Sequence, residues 1–276
     1  MRILITGGEG RIGRFLTQTL TSEGFEVHSF GRGSLNLLDF NQLKKTIFNS
    51  DCYDVLIHTA KIGGRRYEAG TYEDFYKNML MTENIAKFVN RFEKVFVFNS
   101  GASHNRDFHI TQGSSNPTPT DVYGLYKAVE NRMIKGLNVF SLKLFNVFGP
   151  NEEQDRFIKT AIRCCLTKSP LETLAIKKMD FFYEEDLASL ILFLIKGKNE
   201  FYSGQYDCCY EKHLSLSEIL YLIEELTGEK CVVLKTELGK DFTGDSTKLD
   251  NIGIKLHGFK EGLIKTIESM DKNLLL

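Results

Sequence analysis

The sequence opens with a short apolar segment that runs directly into three evenly spaced glycines. Residues 3–5 are typical of a buried strand, and Gly7, Gly10 and Gly13 follow at intervals of three. After them, apolar residues recur with the spacing of one helix face: Ile12, Phe15, Leu16 and Leu20. A strand, a G-x-x-G-x-x-G turn and a helix form a variant of the dinucleotide fingerprint, in which the helix start receives a diphosphate. We therefore predict cofactor contacts at the three glycines and at Arg11 and Ile12 between them.

Composition limits the classes of protein that this chain can belong to. It has 276 residues, of which 42% are hydrophobic, and a formal net charge of −1. This balance argues against nucleic-acid binding, and no apolar stretch approaches the roughly 20 residues that span a bilayer. Strand-like sequence follows Met1-Arg2 at once, so we expect no secretory signal and a cytoplasmic protein. The six cysteines contain no C-x-x-C pair, so we expect reduced thiols and no metal.

Strand and helix patterns alternate through the first half of the chain. Strands are predicted at 25–30, 54–60, 94–100 and 139–149, with helices at 72–91 and 123–134 and a loop at 111–120. The second half adds helices at 155–166, from 185 and at 214–228, the last capped by Ser215 or Ser217 and ended by Gly228. We predict a Rossmann-type, doubly wound parallel α/β sheet at 1–150, with part of 182–200 returning to it, and a small C-terminal α/β substrate lobe at 151–276.

A second group of polar residues follows the glycine turn. Tyr123 and Lys127 are four residues apart and share a helix face. An ammonium beside a phenol favours the phenolate and lowers the phenol pKa, which suits the phenol to proton transfer. Ser100 or Ser103, at the end of a predicted strand, can donate a hydrogen bond to a carbonyl oxygen. Together these groups are suited to protonating a carbonyl that receives a hydride from nicotinamide.

The stretches "TGGEGRIG", "HTAKIGG", "FNSGAS", "YGLYK" and "LFNVFGP" resemble the extended short-chain dehydrogenase/reductases, in the sugar-nucleotide epimerase/dehydratase group. Within that group the chain most resembles the GDP-L-fucose synthases, which are NADPH-dependent 4-keto-sugar epimerase/reductases. The resemblance implies catalytic roles for Ser100, with Ser103 as a substitute, and for Tyr123 and Lys127. Lys127 is then also a cofactor contact.

The same resemblance implies further contacts. It places Asp39 near the adenine, Ala60 and Lys61 along the cofactor, and Asn78 in a helix that orders the site. Asn146, at the end of the fifth predicted strand, becomes a substrate contact, and so does Arg156. The family pairs two subunits through two helices, so we expect a homodimer. The apolar residues that we expect on this face, unless they fill an intramolecular core, are Phe75, Met79, Ile85, Phe88 and Val89.

Three positions depart from the family pattern. Ala102 stands where the epimerase/reductases have a cysteine, and Arg156 stands near the expected position of a histidine. A methyl group accepts no proton, and a guanidinium is a poor base, so we expect reduction without epimerisation. Met179 replaces an arginine that lies near the substrate phosphates, and Lys177 or Lys178 would have to supply that charge.

The end of the second strand bears on the choice of nicotinamide. NAD-binding proteins place an acid there to hold the ribose diol, whereas this chain has Arg32 followed by Ser34. An arginine can bind a 2′-phosphate through paired hydrogen bonds. We therefore expect NADP(H) rather than NAD(H).

The function expected is an NADPH-dependent reductase of a nucleotide-linked 4-keto sugar, a deoxyhexose or heptose. The alternatives are an NAD-dependent sugar-nucleotide epimerase and a dinucleotide sensor without turnover. Replacing Tyr123 by Phe separates the enzymes from the sensor, because a sensor has no use for the phenol.

Overall fold

The computed structural model describes residues 1–49, 53–64, 70–104, 119, 121–197 and 203–274. The predicted loop at 111–120 lies outside these residues except for Pro119, and so does Cys52. The other five cysteines are free thiols. Among the described residues, no helix is both long and apolar enough to cross a bilayer.

The described strands and helices alternate along the first half of the chain. The strands are β1 (Arg2–Thr6), β2 (Glu26–Phe30), β3 (Val55–His58), β4 (Lys94–Ser100), β5 (Phe140–Leu144), β6 (Val147–Phe148), β7 (Leu171–Ile176), β8 (Phe182–Tyr183), β9 (Gly204–Cys208) and β10 (Val233–Leu238). The helices are α1 (Arg11–Ser22), α2 (Phe40–Asn49), α3 (Tyr72–Ala86), α4 (Val122–Met133), α5 (Phe157–Thr167), α6 (Glu184–Lys196), α7 (Leu216–Thr227), α8 (Thr247–Asp250) and α9 (Phe259–Leu274).

Six strands form the main sheet, in the order β2-β1-β3-β4-β5-β9. The pairs β1–β2, β1–β3 and β3–β4 are parallel. Because the chain leaves β1 first toward β2 and then returns to the other side for β3, the strand order reverses between β1 and β3. In open α/β sheets, ligands bind beyond the carboxyl ends of the strands at such a point. The predicted Rossmann-type α/β fold is confirmed.

The chain divides into two compact units. The first contains the described residues within 1–104, 119–143 and 190–207, and the second contains those within 144–189 and 208–274. The core of the first unit includes Leu4, Leu56 and Val95 from adjacent strands, all fully buried. The core of the second gathers apolar faces of α5, α7 and α9 around Phe148 and Tyr183. Each unit therefore has a hydrophobic core of its own.

Several predicted boundaries were wrong. The helix predicted to reach Arg91 ends at Ala86, and a 3₁₀ turn follows at Val89–Arg91. The strand predicted at 139–149 is two strands, β5 and β6. By contrast, α7 has Ser215 as its N-cap, in a capping box with Glu218, and Gly228 as its C-cap at φ +73°. Local capping chemistry determined these ends.

The apolar residues expected on a subunit interface divide into two groups. Ile85, Phe88 and Val89 are buried in the core of the first unit, so the intramolecular alternative holds for them. Phe75 and Met79 are half-buried. The large side chains that α3 does expose are Tyr72 and Tyr76, at 85% and 66%.

Candidate active site

The turn between β1 and α1 has no room for side chains at its first and third motif glycines, Gly7 and Gly13. Gly7 has φ +79°, and a Cβ there would lie 2.5 Å from the Ala60 nitrogen. A Cβ on Gly13 would lie 2.3 Å from the Gly7 carbonyl oxygen. Gly10 is the N-cap of α1, no side chain caps this helix, and its first turn has no acidic residue. No acidic side chain of the first turn therefore offsets the positive end of the helix dipole, which fits the diphosphate of a dinucleotide.

Two side chains of opposite charge, Arg32 and Glu9, belong to the region just after β2. Arg32 is exposed, and the Ser34 hydroxyl closes the turn by bonding to the Gly31 backbone at 3.1 and 3.2 Å. Sequence reasoning missed Glu9, whose side chain lies directly against Gly31, so that a Cβ there would be 1.9 Å from the Glu9 carboxyl carbon. Asp39 is the helix-capping residue before α2: its Oδ1 accepts from the Asn41 and Gln42 nitrogens at 2.9 and 3.0 Å.

The segment after β3 is held in place by Asn78 of α3. The Asn78 amide is buried, donates to the Ile62 carbonyl at 3.0 Å and accepts from the Ile62 nitrogen at 2.9 Å. It also donates to the Asp74 carbonyl at 2.8 Å. This side chain therefore fixes the backbone beside Ala60 and Lys61, at the switch point of the sheet.

Tyr123 lies under that same segment. The Lys61 ammonium sits 5.1 Å from the centre of the Tyr123 ring, and it donates to the Gly63 carbonyl at 3.1 Å. Gly64 has φ +91°, and a Cβ there would lie 2.7 Å from the ring edge. The loop after β3 and the start of α4 thus meet at the tyrosine, with a second lysine ammonium over its face.

Ser100 is the last residue of β4, and Ser103 lies in the 3₁₀ turn, Gly101–His104, that follows this strand. The Ser100 hydroxyl accepts a hydrogen bond from the Ala102 nitrogen at 3.2 Å. The Ser103 hydroxyl is buried and has no hydrogen-bond partner among the described residues. Gly124 lets α4 approach this turn, because a Cβ there would lie 2.6 Å from the Ala102 carbonyl oxygen. The glycine after Tyr123 therefore brings the tyrosine helix onto the serine turn.

Lys127 is part of a buried ionic cluster that the sequence analysis did not anticipate. Its ammonium donates to Glu130 Oε2 and to the Phe98 carbonyl, both at 2.7 Å. The Tyr126 hydroxyl donates to Glu130 Oε1, and Thr82 of α3 donates to the same oxygen at 3.3 Å. Burial is the largest single influence and disfavours the Lys127 ammonium, but the Glu130 carboxylate and the neighbouring Tyr126 and Tyr123 together outweigh it, and the pKa of Lys127 is raised. The three-residue spacing was the available signal, since it places both charges on one helix face.

His58, at the end of β3, is buried as a neutral ring. Its Nδ1 lies 2.7 Å from the Thr6 hydroxyl, and its Nε2 has no partner among the described residues. Burial, and secondly the Lys127 ammonium, lower the pKa of His58 to about 3. The ring is therefore uncharged at neutral pH.

The second unit contains the predicted substrate residues. Arg156 donates to Asn146 Oδ1 at 3.1 Å, and the Asn146 amide donates to the Asp180 carbonyl at 2.9 Å. Lys178 is exposed, and the structure holds it through its backbone, whose nitrogen donates to Asp241 at 2.7 Å. Met179 packs against the core of the unit, so no cation replaces the family arginine at that position.

His213 is a polar residue of the second unit that sequence reasoning missed. Its Nδ1 lies 2.7 Å from Asp180 Oδ1, and this hydrogen bond raises the pKa of His213. The other Asp180 oxygen accepts from the Gly244 nitrogen at 2.7 Å. Hydrogen bonds thus connect four residues in one polar network, with a guanidinium at one end and an imidazole at the other: Arg156, Asn146, Asp180 and His213.

Comparison with known proteins identifies the family of this chain. The model of the NAD dependent epimerase/dehydratase family matches residues 3–208, which include the glycine turn, the serine turn and the Tyr123–Lys127 pair. The chain belongs to this family. The NAD dependent epimerase/dehydratase family includes relatives of this chain that act on nucleotide-linked sugars, both as epimerases and as reductases.

Similarity to individual members of the NAD dependent epimerase/dehydratase family is low but extends along the chain. A GDP-L-fucose synthase of Sinorhizobium fredii is 24% identical over 305 residues, covering 99% of this chain and 96% of the relative. MoeE5, solved with UDP-glucose and NAD, is 22% identical with a TM-score of 0.79 and covers 99% of this chain and 100% of that one. A GDP-mannoheptose C4 reductase of Campylobacter jejuni, solved with NADP, is 17% identical with a TM-score of 0.78 and covers 98% of each chain.

Proposed function

We propose that this protein reduces the 4-keto group of a nucleotide-linked sugar, a deoxyhexose or a heptose, with NADPH as hydride donor. The observation that carries the proposal is the convergence of Tyr123, the Ser100–Ser103 turn and the glycine turn at the carboxyl ends of β1, β3 and β4. The dinucleotide is assigned to the first unit and the sugar nucleotide to the second.

The residues of the first unit have distinct tasks in this reaction. The glycine turn and the N-terminus of α1 would hold the diphosphate of the cofactor, and Lys127 would be a further cofactor contact. The bound cofactor supplies the hydride. The Ser100 hydroxyl, or that of Ser103, donates a hydrogen bond to the ketone oxygen, and the Tyr123 phenol gives that oxygen its proton. The proton is transferred as negative charge develops on the ketone oxygen. The phenol therefore stabilises the transition state more strongly than it stabilises the bound ketone.

Epimerisation at the carbons beside the ketone lacks the two proton-transfer groups of the GDP-L-fucose synthases. Ala102 is a buried methyl group in the serine turn, 2% exposed. Arg156 donates to Asn146, its Nε lies 3.7 Å from Glu152, and a guanidinium has no lone pair with which to accept a proton. Neither residue can remove a proton from a carbon next to the ketone. We infer a plain 4-reductase.

The second unit supplies the cations for the substrate diphosphate. We assign this role to Arg156 and His213, in place of the family arginine. Hydrogen bonds through Asn146 and Asp180 connect these two residues. A protonated histidine and a guanidinium both donate to phosphate oxygens. Lys178 is assigned a secondary electrostatic role.

The test is a panel of nucleotide-linked 4-keto sugars, incubated with NADPH in deuterated solvent. We expect NADPH oxidation with one or more members and a product without deuterium on the carbons that flank the former ketone. Enzyme-free incubations measure spontaneous exchange at those carbons. Deuterium incorporation above that background would show that epimerisation survives. No NADPH oxidation with any member would refute the reductase.

A second candidate, an NAD-linked enzyme such as a sugar-nucleotide epimerase, is favoured by Glu9. A carboxylate against Gly31 can accept from a ribose 2′-hydroxyl and would repel a 2′-phosphate. The variants Arg32→Ala and Glu9→Gln separate the two. For the NADPH enzyme, Arg32→Ala should lower kcat/KM for NADPH by about 10- to 100-fold and leave NADH use unchanged. If Glu9→Gln loses the use of NADH and Arg32→Ala leaves the use of both cofactors unchanged, NAD(H) is the cofactor.

The homodimer is also proposed here, through the exposed face of α3 that carries Tyr72 and Tyr76. Analytical ultracentrifugation compares the mass in solution of the wild type with that of the Tyr72→Glu, Tyr76→Glu double variant. We expect a dimer for the wild type and a monomer for the variant.

A further inference from the structure

Glu130 lies outside the set of groups that the proposed reaction needs, and yet it is the most completely buried acid near them. Its exposed fraction is 0%, and both carboxylate oxygens are occupied. One oxygen accepts from Lys127 at 2.7 Å, and the other accepts from Tyr126 and from Thr82. A buried carboxylate is costly unless it is paired, so three donors on one acid mark a built arrangement.

Lys127 is buried to the same degree, at 3% exposed. Its described hydrogen-bond acceptors are the Phe98 carbonyl and the Glu130 carboxylate. A carbonyl dipole alone does not offset the desolvation of an ammonium, since lysines buried without a counter-charge lose their protons at much lower pH. The charge on Lys127 therefore depends on Glu130.

We propose that Glu130 is a positioning residue of the reductase: its buried carboxylate fixes the Lys127 side chain and keeps the ammonium charged on the face of α4 that carries Tyr123. The inference rests on the proposed function. Glu130 acts through Lys127 and contacts neither substrate nor cofactor. Thr82 and Tyr126 hold the carboxylate from the other side, which ties α3 to the position of the lysine.

The charged groups around this cluster determine the expected pH effect. Tyr123, Tyr126 and Glu130 face Lys127 from α4 itself, and the His58 ring of β3 is uncharged at neutral pH. A further ammonium, Lys61, lies over the Tyr123 ring. Removing the Glu130 charge has two consequences: Lys127 releases its proton at lower pH, and while it remains charged its field acts on Tyr123 without compensation. In the first case the Lys127 ammonium is lost at lower pH, and in the second the Tyr123 phenol is. Both changes move the loss of activity at high pH to lower pH values.

The experiment is the pH profile of kcat/KM for ketone reduction in the wild type and in Glu130→Gln. We expect the basic limb of the profile to move to lower pH by at least about one unit. The control is Glu83→Gln, which makes the same change in an exposed glutamate paired with Lys87 on α3 and should leave the limb in place. A lower rate in Glu130→Gln with an unmoved basic limb would overturn the proposal, because a merely structural role predicts that result.

A titration that needs no turnover separates this inference from the proposed function. Lysine labelled with ¹³C at Cε reports its protonation by NMR, and the Lys127 signal is assigned by its absence in Lys127→Met. In the wild type we expect this lysine to stay charged at pH values where exposed lysines titrate, and in Glu130→Gln to titrate below them. If Glu130→Gln does not fold, the wild-type titration decides: a Lys127 that loses its proton with or before the exposed lysines overturns the proposal.

Discussion

His58 should make the first unit lose stability as the pH falls, well before its carboxylates are protonated. The ring is buried in the folded protein with a pKa of about 3, whereas an unfolded histidine has a pKa near 6.5. Between these values the unfolded chain binds one proton more than the folded one. Stability therefore decreases as the pH falls through this range.

The magnitude follows from the linkage between proton binding and unfolding. At pH 5 the unfolded histidine is almost fully protonated, whereas the folded one is not. This pH lies about 1.5 units below the pKa of the unfolded histidine. At about 1.36 kcal/mol per unit, acidification from pH 7 to pH 5 costs about 2 kcal/mol through this side chain alone. His213 has a raised pKa and works in the opposite direction, but it is common to both proteins compared below.

The assay is urea denaturation at pH 7 and pH 5 for the wild type and for His58→Gln. Glutamine keeps an acceptor for the Thr6 hydroxyl but has no titrating ring. The wild type should lose about 2 kcal/mol more than the variant between the two pH values. Equal losses in the two proteins, or an NMR titration that places the His58 pKa near 6.5, would refute the reasoning.

The other predictions concern the two halves of the candidate site. Gly13→Ala puts a Cβ 2.3 Å from the Gly7 carbonyl oxygen, so the variant should unfold about 1–3 kcal/mol more easily and bind NADPH more weakly. Denaturant melts and cofactor fluorescence measure both effects, and unchanged NADPH affinity would argue against a diphosphate at this turn. KM for the nucleotide sugar should rise as the pH rises through the raised pKa of His213, which then loses its charge. His213→Asn should abolish that pH dependence, and a profile identical to the wild type would exclude His213 from the substrate site.

Features that depend on neighbouring residues could be predicted from the sequence. The strand, glycine turn and helix at the start of the chain form as expected, and Ser215 and Gly228 end α7 through hydrogen bonds and backbone angles that a few residues determine. The break between β5 and β6 could not be read in the same way, because the apolar pattern continues through it.

The features that sequence reasoning missed are contacts between distant parts of the chain. Glu9 meets Gly31, and His213 meets Asp180, only after the sheet and the second unit have formed. Glu130 is closer to its partner, but its role follows from burial that no local pattern reveals. The parts of the candidate site that belong to sequence motifs could therefore be predicted. The charged and polar residues that contact those parts, Glu9, Glu130 and His213, could not.

The most direct test of the central claim is the single-turnover rate of ketone reduction in Tyr123→Phe, measured beside NADPH affinity. Removing a general acid should slow proton delivery by about 10²- to 10⁴-fold and leave NADPH binding within about twofold of the wild type. Tyr76→Phe, at an exposed tyrosine of α3, is the matched control and should reduce the ketone at the wild-type rate. A Tyr123→Phe protein that reduces the ketone as fast as the wild type would contradict the account.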